Sequence, residues 1–291
     1  MPTGVLLLDK PLGLSSNAAL QRLRRLYGGV KAGHVGSLDP LASGMLPVCL
    51  GEATKVAGDI LAGRKCYRFT VQLGASTTTG DAEGAVTATA AVPSVTPEAL
   101  ERALGQFRGP QQQVPPMYSA IKRGGEPLYR LARAGVTVAR EPRAIHIDSL
   151  TLLAAADERL ELQVLCSKGT YVRVLGEDIA TALGTLGHLA ALRRLYVEPF
   201  AQEPMHTLEA LEARATRGEA PPLLAPDAPL AHLPELELDA EAARRVRLGQ
   251  RLVTALGPAP RVRLYAPGRV FLGLGASDAS GTLQPKRLLN G

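Results

Sequence analysis

Tryptophan is absent from the 291-residue chain and aromatic residues make up only 4% of it, so the core has to be built on Leu, Val and Ala. Cysteine is scarce as well. Cys49, Cys66 and Cys166 are odd in number, form no Cys-x-x-Cys pair and sit among apolar neighbours, which speaks against a disulfide framework and for three reduced, buried thiols. The five histidines, His34, His146, His188, His206 and His232, lack metal-ligand spacing. There is no P-loop and no Gly-x-Gly-x-x-Gly after a strand, so neither a metal nor a nucleotide cofactor is expected. The N-terminal apolar run between Pro2 and Asp9 is too short for a signal peptide or a membrane span, and a soluble, cytoplasmic protein is the expectation. Internal repeats and low-complexity tracts are missing too.

Positive charge is present in excess. The net charge is +6, and 26 of the 33 basic residues are arginine, whose rigid fork suits phosphate recognition. A nucleic acid or another polyanion is the partner this balance favours, although genome composition alone can enrich arginine. With 46% apolar residues, the length accommodates one large domain plus a small one.

Along the chain, Gly4 to Asp9 reads as a short buried strand. A helix capped by Ser15 or Ser16 follows, with Leu20, Leu23 and Leu26 on one side and Arg22, Arg24 and Arg25 mostly on the other. Those arginines suit a solvated face or a nucleic-acid contact equally. From Arg64 to Gly74 the pattern alternates, with Tyr67, Phe69, Val71 and Leu73 sharing one face. Thr96-Pro97-Glu98 opens a helix through Leu104. Residues 110–143 have little apolar periodicity but carry Lys122, Arg123, Arg130, Arg133, Arg140 and Arg143 around a short helix at Leu128 to Ala134. They read as a basic insertion, mobile until it meets a partner. Strands are predicted at Ala144 to Leu153 and Leu160 to Cys166, and helices at Val174 to Leu183 and His188 to Leu195. A proline-rich linker spans 218–234. A charged helix, Ala240 to Leu248, then precedes short strands at Arg261 to Tyr265, Gly268 to Leu274 and Leu283 to Leu289, which suits a small β-barrel.

The densest local signal is Gly33 to Gly51, which packs glycines, two prolines and one carboxylate, Asp39, into a single loop. On its own, Asp39-Pro40 reads as a helix N-cap with proline at the first helical position, so the loop is predicted to turn into a short helix.

The loop does not stand alone. Leu8-Asp-Lys-Pro-Leu-Gly13, Gly33 to Gly51, Lys65-Cys-Tyr-Arg68, Met117-Tyr-Ser-Ala-Ile-Lys122, Ser167-Lys-Gly-Thr-Tyr-Val-Arg173 and His188-Leu-Ala-Ala-Leu-Arg-Arg194 run in order over most of the chain. Together they closely resemble the TruB family of tRNA pseudouridine synthases, with Val35, Ser37 and Ser43 standing where threonine is common. The resemblance implies an α+β (mixed α/β) fold, with a central, mainly antiparallel sheet flanked by helices. It also implies a catalytic domain at 1–217, the linker, and a PUA-like RNA-binding barrel at 235–291. It makes Asp39 the catalytic carboxylate, ionised at neutral pH since an unperturbed Asp has a pKa of about 3.9, and Arg173 its ion-pair partner. Tyr67 becomes the aromatic beside the base and the candidate for removing the C5 proton, although its strand face suits plain core packing. Tyr171 and Leu192 are implied for the pocket wall and His34 for the space a flipped base leaves, with Lys10 as structural support. Lys122, Arg123, Arg130 and Arg133 would grip RNA.

The implied reaction converts uridine to pseudouridine at position 55 in the T arm of tRNA. No cofactor, no membrane and no protein partner is implied, and a monomer is the default. Two other readings share these features: a guide-RNA-dependent relative, and a non-catalytic RNA-binding protein or tRNA folding chaperone. The insertion argues against the first, and the joint presence of Asp39, Tyr67 and Arg173 argues against the second as the sole role.

Overall fold

A computed structural model of the chain describes residues 2–156 and 158–290. Nine strands make the larger sheet. Its order is His206–Thr207, Gly4–Lys10, Ala42–Leu50, Gly187–Val197, Lys65–Leu73, Arg159–Cys166, Arg143–Ala156 and Gly109–Gln113, with Ala32–His34 pairing beside Ala42–Leu50. Most neighbours are antiparallel, as expected; Gly4–Lys10 with His206–Thr207 and Ala42–Leu50 with Gly187–Val197 are parallel. Both faces of Gly4–Lys10 and Ala42–Leu50 are buried. Leu6 and Leu8 pack with Leu20, Leu23, Leu175 and Ile179 on the helical face, while Val5 and Leu7 pack with Met45, Ile60 and Phe200 on the other. A strand covered on both faces reads as an unbroken apolar run, which is what Val5 to Leu8 is.

Two predicted helices are strands, for different reasons. After Asp39-Pro40 the chain enters the strand Ala42–Leu50, because Pro47 would break a helix there and Gly44 takes φ +98°. A Cβ on Gly44 would lie 2.1 Å from the Arg194 carbonyl oxygen, so the neighbouring strand requires glycine at that position. Gly187–Val197 is also a strand. Its pairing with Lys65–Leu73 slips between Leu189 and Ala191 and again between Arg194 and Tyr196. Each bulge inserts one residue, so Leu189 and Leu192 share a face three positions apart and imitate helical spacing. The other predicted elements are found where they were expected, within two or three residues at each end.

Residues 114–142 leave and re-enter the sheet between two neighbouring strands, since Gly109–Gln113 pairs with the start of Arg143–Ala156. A second, five-stranded sheet follows in the order Glu235–Glu237, Ala259–Ala266, Val270–Ser277, Thr282–Leu288 and Leu252–Val253. Leu238, Val246, Val262, Leu264, Leu272 and Leu283 form its own core. This second unit docks on the segment Gly51–Ala62. Val56, Leu230 and Leu274 form an apolar seam, the Lys55 ammonium donates to the Leu288 carbonyl, and Arg261 pairs with Asp59. Among the described residues no helix is long and apolar enough to cross a membrane.

Candidate active site

Asp39 lies in the turn between Ala32–His34 and Ala42–Leu50, and three contacts hold that turn to its surroundings. Ser16, in the first turn of the helix Ser16–Leu26, is buried; its hydroxyl donates to the Leu38 carbonyl at 2.9 Å and accepts from the Leu38 amide at 2.7 Å. The Gly13 amide donates to the Pro40 carbonyl at 2.9 Å. Arg194, fully buried in Gly187–Val197, donates from Nη2 to the Gly36 carbonyl and from Nε to that of Met45. Lys10 is buried beneath the turn with its ammonium on the Pro11 and Leu14 carbonyls, and burial lowers its pKa to about 8.

The Asp39 carboxylate is half-exposed, and its Oδ2 lies 3.1 Å from Arg173 Nε. Arg173 stands in the first turn of the helix Val172–Ala182 and has no free fork: Nη1 donates to the Thr79 carbonyl and Nη2 to that of Tyr118, each at 2.6 Å. A second carboxylate, the buried Asp81, approaches Arg173 Nε at 3.7 Å. Asp81 is held in turn by the Thr79 hydroxyl at 2.5 Å and the Glu83 amide at 3.1 Å. Burial raises the Asp39 pKa above the ordinary carboxylate value; Arg173 pulls it down, Asp81 pushes it up further and Lys10 pulls it down.

Asp39 and Arg173 line a cleft of about 290 Å³. Asp39, Tyr67, Tyr171, Arg173 and Leu192 all face it, together with Lys65, Ser119, Lys168 and Arg194. Tyr67 is both wall and core, since it also packs with Phe69 and Val71, and burial raises the pKa of its phenol. Tyr171 is held by a two-way amide contact: Gln113 Nε2 donates to its carbonyl and Gln113 Oε1 accepts from its N–H at 2.7 Å. His34 is not on the cleft wall. It sits on the strand leading into the turn with Nδ1 buried and without a hydrogen-bond partner, and burial lowers its pKa.

The basic residues of the insertion stand apart from the cleft. Lys122, Arg123, Arg130 and Arg133 are exposed, Arg123 donates to the Ala139 carbonyl, and Arg133 lies over the Tyr129 ring at 5.6 Å. Two arginines of the helix Ser16–Leu26 are used internally, Arg22 on Glu212 and Arg24 on the Val30 carbonyl. Sequence reasoning did not single out Asp81, Gln113, Lys65 or Arg194. The first two have no signal beyond a turn-like Thr-Thr-Gly-Asp and a glutamine run, but Arg194 and Lys65 lie inside the quoted motifs. Among the described residues no group of three or more His, Cys, Asp or Glu side chains is placed to hold a metal ion.

The chain matches three family models in succession. Residues 24–172 match the TruB family pseudouridylate synthase N-terminal domain, 173–225 the tRNA pseudouridylate synthase B C-terminal domain, and 234–289 the pseudouridine synthase II TruB C-terminal model. It is 51% identical to the tRNA pseudouridine synthase B of Aromatoleum aromaticum over 287 residues, 99% of this chain and 92% of that protein. With that of Chromohalobacter salexigens it shares 49% over 290 residues, 99% of this chain and 94% of that protein. The fold is also that of a solved chain in a Cbf5–Nop10–Gar1 complex, with a TM-score of 0.74 at 22% identity over 99% of this chain and 85% of that one. Sequence likeness at this level over nearly the full length, on a fold shared at far lower identity, makes the chain a member of the TruB family of pseudouridylate synthases.

Proposed function

We propose that this chain isomerises uridine to pseudouridine in the T arm of tRNA, at position 55, acting without a guide RNA, a cofactor or a protein partner. The bond from ribose C1′ to N1 breaks, the base turns, and C1′ joins C5. The observation that carries this reading is the Asp39 carboxylate fixed against Arg173 beside a cleft walled by Tyr67, Tyr171 and Leu192. A carboxylate held by a cation whose two terminal nitrogens are each anchored on a backbone carbonyl is oriented and ready to act at C1′, as nucleophile or as base.

The uridine must leave its stack to reach such a group, which costs a few kcal/mol. His34, with an unsatisfied ring nitrogen on the strand entering the Asp39 turn, is the residue we assign to the vacated space. Lys122, Arg123, Arg130 and Arg133 on the 114–142 excursion, together with the unit at 235–291, would hold the RNA backbone outside the cleft. We take 1–217 as the catalytic domain and 218–234 as the linker. The excursion favours a stand-alone enzyme over a guided one, because it supplies RNA grip from within the chain.

The test is a T-arm RNA carrying tritium at uridine C5. Wild-type protein is expected to release the tritium to water. Asp39→Asn is expected to bind the RNA within a few-fold of wild type while the single-turnover rate falls about a thousandfold or more. Weak binding with residual turnover would instead make Asp39 a structural element of the turn. Binding without release from either protein would favour the RNA-binding or guide-dependent readings.

A further inference from the structure

Two buried cations beside the cleft have no carboxylate. Arg194 is 1% exposed and Lys65 6%, and among the described residues neither forms an ion pair. The Lys65 ammonium is spent on the Leu61 and Gly63 carbonyls, and two of the Arg194 nitrogens on those of Gly36 and Met45. The third, Nη1, comes within 3.3 Å of the point where a Cβ on Gly36 would sit, and Lys65 Cε lies 3.7 Å from the same point. Both cations therefore converge on one spot of the cleft wall. Arg194 stands directly opposite Tyr67 in the strand register, and Lys65 precedes Tyr67 by two residues, on the same face of its strand.

Burying a charge is costly unless something offsets it, and backbone carbonyls offset only part. Both cations line the inner wall of the cleft rather than the outer surface over which the RNA backbone would run. The Tyr67 side chain, 7% exposed, lies opposite Arg194 in the register and feels its charge.

We propose that Arg194 is a positioning residue that acts through Tyr67: with Lys65 it sets up a positive field at the phenol oxygen that makes Tyr67 the acceptor of the C5 proton. This rests on the isomerase reading above. In the step concerned, C1′ is already joined to C5, which still carries its hydrogen. The proton passes from C5 to the Tyr67 phenolate. The C5–H electron pair becomes the ring C5=C6 bond, the C6=N1 π pair moves to N1, and N1 takes a proton from water. Tyr67 then returns its proton to solvent.

The other titratable groups facing Tyr67 do not help it ionise. Asp39 opposes a second negative charge, and burial keeps the Cys166 thiol neutral by pushing its pKa up to about 12. Arg194 acts in the favourable direction, against the burial that raises the phenol.

The test is single-turnover kinetics on T-arm RNA with protium or deuterium at uridine C5, using full-length protein and checking melting temperatures. Arg194→Met is expected to slow the reaction about tenfold or more and to enlarge the C5 isotope effect, and Arg194→Lys to recover most of the rate. In a Tyr67→Phe background either change is expected to cost less than about twofold, because the group acted upon is gone. Equal losses in both backgrounds with a flat isotope effect would overturn the proposal and reduce Arg194 to a clamp on Gly36 and Met45. Should the Arg194 variants fail to fold, Lys65→Met in the same two backgrounds is read the same way. Absence of any product from wild type would fail the isomerase reading itself, whereas product from wild type with additive variants would fail only this step.

Discussion

Arg173 occupies a position that a helix dipole disfavours for a cation, the first turn of Val172–Ala182. Asp39 and Asp81 offset that by bracketing its Nε, and the Thr79 and Tyr118 carbonyls fill the fork. Lysine would keep the charge but not three directed contacts. Arg173→Lys is therefore expected to bind tRNA within about threefold of wild type and to lose at least a hundredfold in single-turnover rate, checked by rapid-quench kinetics. Asp81 makes a separate prediction about pH. Its negative charge raises the Asp39 pKa, so removing it lowers that pKa. The acid limb of the rate profile, where Asp39 gains its proton, is expected to move to lower pH in Asp81→Asn; an unmoved limb would mean that Asp81 acts only on the orientation of Arg173. At this scale Asp39 and Arg173 were legible because their neighbours spell family motifs. Asp81 was not, since Thr-Thr-Gly-Asp says only that the chain turns.

Strand Gly187–Val197 delivers Leu192 and Arg194 to the cleft because the bulge at Ala190 resets its phase. Removing one bulge residue moves everything beyond it to the other face. Deletion of Ala190 is expected to leave a protein that contains the sheet by circular dichroism but has no measurable tritium release, whereas retained activity would show that the strand can re-register. The neighbouring strand is equally exacting at Gly44. Gly44→Ala demands a Cβ at φ +98° and 2.1 Å from the Arg194 carbonyl, so a loss of about 3 kcal/mol or more is expected in urea unfolding. A loss under about 1 kcal/mol would mean the Asp39 turn can yield. The same two elements are where sequence reasoning about secondary structure failed. Apolar spacing carries the period of a regular strand or helix, and a bulge falsifies the period without changing composition. The Asp-Pro cap signal was equally real as a turn signal, and Pro47 and Gly44 then exclude the helix. Lys65–Leu73 has no bulge opposite Arg159–Cys166, and its alternation was readable directly.

The two sheets meet at a small seam, and that seam decides how far the second unit can influence chemistry done in the first. Every group lining the cleft comes from the first 194 residues, so the site does not need the second unit for its construction. The second unit contributes position: Arg261 on Asp59, Lys55 on the Leu288 carbonyl, and Val56 against Leu230 and Leu274 fix where it stands relative to the cleft. Val56 is 1% exposed, and a carboxylate there would be buried without a partner. Val56→Asp is thus expected to part the seam while leaving both cores intact, seen in calorimetry as one melting transition splitting into two. With the unit no longer held in place, the affinity for tRNA is expected to weaken about tenfold, and its dependence on salt to become shallower because fewer phosphates are neutralised at once. The single-turnover rate at saturating enzyme is expected to stay within about threefold of wild type. A collapse of that saturated rate, in a protein whose first sheet still melts normally, would show that the seam braces the Asp39 turn through the segment Gly51–Ala62 that follows it.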